Sequence, residues 1–93
     1  MDKKMDEGLR TTIADQFKNT QLGFMRIKKN LGITHFSDIE TEKFLKRIIL
    51  ATPIAAIESK GKNHYFTCSA FNAVLTINAN SFTIITAKKI TND

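Results

Sequence analysis

The period of the apolar residues changes once along this chain, at Pro53, and that change restricts what the chain can fold into. Before it, Met5, Leu9, Ile13 and Phe17 recur every four residues, the stripe of a helix over about 3–18. Thr20 is placed to cap a second helix over 20–31, in which Leu22, Met25 and Phe24 are expected to face inward. Gly32 ends that helix by supplying a left-handed residue past its last turn. Ser37 with Glu40 forms a capping box that opens a third helix over 38–51, with Leu45, Ile48 and Ile49 on one face. Pro53 stops it, because the residue before a proline is pushed out of the helical region.

After Pro53 the period is two. Segments 54–58, 64–70, 74–78 and 82–88 read as strands, separated by turn residues around Gly61, at Phe71 and Asn72, and over 79–81. An even-length turn in the last hairpin pairs Ile77 with Phe82 and Leu75 with Ile84. Thr76, Asn78 and Thr83 then lie on the other face with Val74 and Ile85. The expected fold is α+β, with two or three N-terminal helices on one face of a three- to four-stranded antiparallel meander over 54–88. Ninety-three residues have surface enough for one hydrophobic core, so 1–93 is read as a single domain.

The first residues alternate charges and lead into no apolar run, unlike a secretory signal. The longest uncharged stretch, 68–87, is rich in Ser, Thr and Asn and reads as strands, not a membrane span. Cys68 is the single cysteine, which excludes an internal disulfide and fits a reducing, cytoplasmic location. A net charge of +5 biases contacts toward anions, nucleic acid first.

Few side chains here suit a reactive centre. His35, His64 and Cys68 are the soft metal ligands, and His64 and Cys68 share a strand face that also carries Phe66. Four residues along a strand separate side chains by about 13 Å, too far for a Cys-His pair to hydrogen-bond. No phosphate loop, nucleophile elbow or carboxylate pair is present, and no metal or cofactor is expected. What remains is Lys60, Lys62, His64 and Tyr65 around the Gly61 turn, Arg26 and Lys29 on the second helix, and Lys88 and Lys89 at the last strand's end. These are the groups to grip RNA phosphates, stack a base and move a 2′-hydroxyl proton. Lys29, Lys60, Lys62, Lys88, Lys89 and Tyr65 are the candidate nucleic-acid contacts.

Three stretches, LGFMRIKKNLGI (22–33), KGKNHYF (60–66) and TINANSFTIITAKKI (76–90), carry a resemblance. In that order they resemble a family of short bacterial proteins of unknown function with the motifs L-G-x-x-R-I-x-x-N-L, G-K-N-x-Y and T-I-N-x-x-S-x-T-I-I-T-A. Members often show Trp where this chain has His64 and His where it has Lys88. More distantly, helices followed by an antiparallel sheet look like the RelE and barnase-like ribonuclease toxins. That likeness implies phosphate binding by Arg26, Lys62 and Lys88, a base stacked on Tyr65, and metal-independent cleavage with His64 and Arg26 as catalytic groups. Its expected partners are RNA and an antitoxin-like protein. The rival reading is a non-catalytic module, monomer or homodimer, that captures a protein partner through its helices or a sheet edge.

Overall fold

Three short polar side chains set where the helices begin. Asp6 Oδ1 accepts from Leu9 N (2.7 Å), Thr20 Oγ1 from Gly23 N (2.9 Å) and Ser37 Oγ from Glu40 N (3.1 Å). They open α1 (Glu7–Gln16), α2 (Gln21–Leu31) and α3 (Asp38–Ala51) in the computed structural model, which describes residues 5–91. At α3 the box is reciprocal, since Ser37 N donates to Glu40 Oε1 at 2.9 Å. That backbone bond, then the Ser37 hydroxyl, holds the Glu40 carboxyl below its ordinary range. Gly32 closes α2 in the left-handed region, at φ 72°. The expected bounds of α3 hold, α2 begins one residue later than its expected 20–31 because Thr20 is the cap, and α1 is shorter than 3–18. Residues 3 and 4 lie outside the described residues.

The strand half begins later than its apolar pattern suggests. Ala56 N donates to Pro53 O (2.9 Å), closing a 3-10 turn at Ile54–Ala56, so β1 is Ile57–Lys60. A second 3-10 turn, Ser69–Phe71, ends β2 (Asn63–Cys68), and left-handed Asn72 leads into β3 (Ala73–Asn78). With β4 (Ile84–Lys89) these strands form one antiparallel sheet in the order β1-β2-β3-β4. The fold is α+β, three helices followed by a four-stranded meander.

Alternation divides the sheet into two faces. Toward the helices it buries Ile57, Phe66, Leu75, Ile77, Ile84 and Ala87, against Ile13 of α1, Ile27 and Leu31 of α2, and Leu45, Ile48 and Ile49 of α3. The α3 face is as expected, but α2 is rotated from its reading. Leu22 and Met25 are 60% and 66% exposed, while Phe24, Ile27 and Leu31 form the inward stripe. Spacing of three and four residues from Phe24 meets the core continuously, and the stripe begun at Leu22 meets Arg26 and Lys29 instead.

The last hairpin also departs from its expected register. Asn78 Oδ1 accepts from both Asn80 N and Ser81 N (2.9 Å each), and Phe82 N reaches back to Asn78 O (2.9 Å). These bonds close a wider loop, with Phe82 left-handed at φ 60°. Pairing therefore starts at Ile77 with Ile84 instead of Phe82. A bulge then leaves Ile85 unpaired, so Leu75 opposes Ala87 and Thr76 opposes Thr86. Beside the bulge, Lys18 runs parallel to Thr83. Its N–H donates to Phe82 O (3.0 Å) and its carbonyl accepts from Ile84 N (2.9 Å), a one-residue strand on the outer edge of β4.

Candidate nucleic-acid interface

His64 and Tyr65 are consecutive on β2, so the pleat sends them to opposite faces. His64 faces the helices, 5% exposed, with Ser59 Oγ 2.6 Å from its Nδ1. Ser59 and His64 are cross-strand partners on β1 and β2, which brings the hydroxyl to the ring. Burial pushes the imidazole pKa below 6.5, so the ring is neutral at pH 7. No carboxylate is bonded to it among the described residues. The pair satisfies a buried histidine and lacks the third group that would orient it as a general base.

That environment makes stability depend on pH. The unfolded chain binds a proton at His64 near 6.5 and the folded protein only at lower pH. The contribution is complete above the unfolded value and is lost as pH falls through the folded one. Urea midpoints should drop between pH 7.5 and pH 5.5, and His64→Gln should flatten that difference. An equal drop in the variant would assign the dependence to other groups.

Tyr65 lies on the face that no described helix covers. It is the centre of a row across all four strands, Glu58, Tyr65, Thr76 and Thr86. Lys60, Asn63 and Asn78 make the row on one side, and Thr67, Val74 and Lys88 the row on the other. Lys60 and Lys88 therefore share this face at diagonal corners, about 14 Å apart across the strands and about 14 Å along them. Lys62 sits in the two-residue turn between β1 and β2, whose first residue, Gly61, takes φ 58°. Lys60 meets Glu58 at 3.5 Å with both side chains well exposed, a weak pairing that leaves its charge available.

The other cations gather elsewhere. Through Lys18, α2 starts beside Thr83. It ends at Gly32, where a Cβ would lie 3.3 Å from Lys89 Nζ. The helix thus runs beside β4, placing Lys29 and Lys89 at the end of the sheet opposite the Gly61 turn. Lys28 is neutralised by Asp38 at 2.7 Å, whereas Arg26 has no ion-pair partner among the described residues. Arg26 lines a groove between α2 and β4. The sequence groups thus divide into an open face, a groove at its β4 edge and a buried His64.

A model of the family described as "Protein of unknown function (DUF3781)" matches residues 11–88. The chain belongs to this family. Comparison with curated proteins and with solved structures gives no match. The DUF3781 region runs from within α1 to within β4 and includes the open face and the groove. Two of the three stretches that first drew attention, 22–33 and 76–90, meet along the groove, and the third supplies Lys60 and Tyr65 to the face.

The groove was missed in the sequence because it needs α2 and β4, more than fifty residues apart, to lie side by side. Its signal was the spacing of Gly23, Arg26, Ile27 and Asn30, which share one helix face. Among the described residues no group of three His, Cys, Asp or Glu could hold a metal ion. No described helix is long and apolar enough to cross a membrane.

Proposed function

We propose that this protein binds single-stranded RNA on the open face of its sheet and does not cleave it. The observation that carries this reading is the uncovered row through Tyr65, with Lys60 and Lys88 at opposite corners of the same face. An aromatic ring on a flat, polar sheet offers a stacking surface to any base, and flanking lysines hold the backbone on either side of it. Charge segregation supports the same face. Residues 16–37 and 59–92 contain eight Lys and Arg and no Asp or Glu, so α2 and β4 carry only positive charge, and β2 and β3 hold no carboxylate to oppose it. Glu58 is the one carboxylate among the face residues, and Lys60 partly offsets it.

Binding is favoured over cleavage because His64 turns away from Tyr65 and lies under the helices. A base able to take a 2′-hydroxyl proton must come within hydrogen-bond reach of an RNA held on the opposite side of the sheet.

The test is fluorescence anisotropy of labelled decauridylate titrated from 25 to 250 mM KCl with EDTA present. Three phosphate contacts, from Lys60, Lys62 and Lys88, give a slope of log K against log salt of about −2.1. Lys60→Ala with Lys88→Ala removes about two thirds of that slope. A flat salt dependence, or fragmentation of the RNA during the titration, would refute the reading.

A further inference from the structure

The groove between α2 and β4 has a volume of about 420 Å³ and is lined by groups that can only donate or are left able to donate. Arg26 supplies a guanidinium without an ion-pair partner among the described residues, and Asn30, one turn further on, supplies an amide. Thr20 Oγ1 accepts from Gly23 N (2.9 Å) and Thr83 Oγ1 from Ser81 Oγ (2.8 Å), so each hydroxyl keeps its own proton to donate. Thr86 is a third lining threonine, on the β4 wall, and among the described residues no carboxylate lines the groove. A lining of this kind selects a ligand rich in acceptors and negative charge.

The rest of the lining is apolar. Leu22 and Ile27 on the helix and Ile85 on the strand provide walls, with Ile85 turned out by the bulge and half exposed. Gly23 leaves the helix side bare next to Arg26, because a Cβ there would come 2.9 Å from the capping Thr20 hydroxyl. The helix N-terminus adds the positive end of its dipole at Thr20. The volume falls within the range of small-ligand pockets, about 300 to 1,000 Å³, enough for one nucleotide.

Thr86 belongs to both places. It lines the groove and ends the row that starts at Glu58 and passes through Tyr65. Two strand spacings, about 10 Å, separate Tyr65 from it. A strand stacked on Tyr65 and crossing Thr76 therefore arrives at the mouth of the groove.

We propose that the groove is a pocket for a phosphate monoester, filled by the 5′-phosphorylated end of an RNA strand lying on the sheet. The choice of an RNA end rests on the RNA-binding reading, whereas the anion site stands on the groove's own residues. Arg26 takes the terminal phosphate as a two-pronged donor, Asn30 and the threonines take its remaining oxygens, and the first base lies against Ile85 and Leu22. A 5′-hydroxyl end offers none of that charge.

Octauridylate with a 5′-phosphate or a 5′-hydroxyl, uridine 5′-monophosphate and uridine are the probes, read by anisotropy for the RNAs and calorimetry for the small molecules. The 5′-phosphorylated RNA should bind about tenfold tighter than the 5′-hydroxyl form, the scale of one charge-assisted contact pair. Arg26→Gln, at an exposed site, should abolish that ratio and leave 5′-hydroxyl RNA within about twofold of wild type. Tyr65→Ala should weaken both RNAs and keep the ratio. Equal binding of the two RNAs, with no Arg26-dependent binding of uridine monophosphate, would overturn the pocket and leave the open face standing. Failure of both RNAs, with monophosphate binding that Arg26→Gln removes and uridine lacks, would keep the pocket for a free nucleotide and overturn the face.

Discussion

Tyr65→Ala is expected to weaken binding of single-stranded RNA about 5- to 150-fold, the 1–3 kcal/mol that one aromatic stacking partner contributes. The ring is half-buried on the open face, and its cross-strand neighbours there are Glu58 and Thr76. Neither can replace a π surface, so its removal leaves the sheet with no platform for a base. Tyr65→Phe should retain most of the affinity, because stacking needs the ring and not its hydroxyl. Circular dichroism and a urea curve on both variants separate loss of binding from loss of fold. An alanine variant that binds as wild type would remove the open face from consideration, whatever the salt dependence of binding.

The neighbouring side chain carries the largest expected effect on stability. Phe66 is fully buried on the helix side of β2, in a cross-strand row with Ile57, Leu75 and Ala87. Phe66→Ala removes most of a ring from the middle of the core and leaves a cavity that the surrounding strands cannot close, at a cost of about 3–5 kcal/mol. A protein of this length has about 5–14 kcal/mol of total stability, so the variant should be marginal at 25 °C. Urea denaturation monitored by far-UV circular dichroism checks it, and a loss under about 1 kcal/mol would mean that Phe66 is not central to the core.

Together Tyr65 and Phe66 show what was legible in the sequence. Strand period alone sends 64, 66 and 68 one way and 65 and 67 the other, so the separation of His64 from Tyr65 is legible in their being consecutive on a strand. Grouping them into one site overlooked that alternation. Helix boundaries were legible for a similar reason. The hydroxyl at Thr20, the glycine at 32 and the box at Ser37 and Glu40 act within four residues of themselves.

Longer-range features were not readable. Leu22 and Met25 are apolar enough to suggest a core stripe, and only the position of β4 decides that Phe24, Ile27 and Leu31 turn inward. The register of the last hairpin depends on the Asn78 side chain gathering two backbone N–H groups and on Lys18 pairing with an edge 65 positions away. The groove with Arg26 is a product of those same long-range choices, and local pattern did not contain it.

Lys18 has one more consequence. By taking the carbonyl of Phe82 and the N–H of Ile84, it blunts the exposed border of β4 at the bulge. A chain beginning after residue 18 would leave both groups bare beside Ile85, an unprotected strand template for another molecule. Such a fragment should gather into higher-order aggregates, or recruit residue 18 of an intact chain by exchange of the N-terminal arm. The residue between the first two helices is thus a guard against self-association, and keeps the sheet at four strands with its lysine-bearing face open.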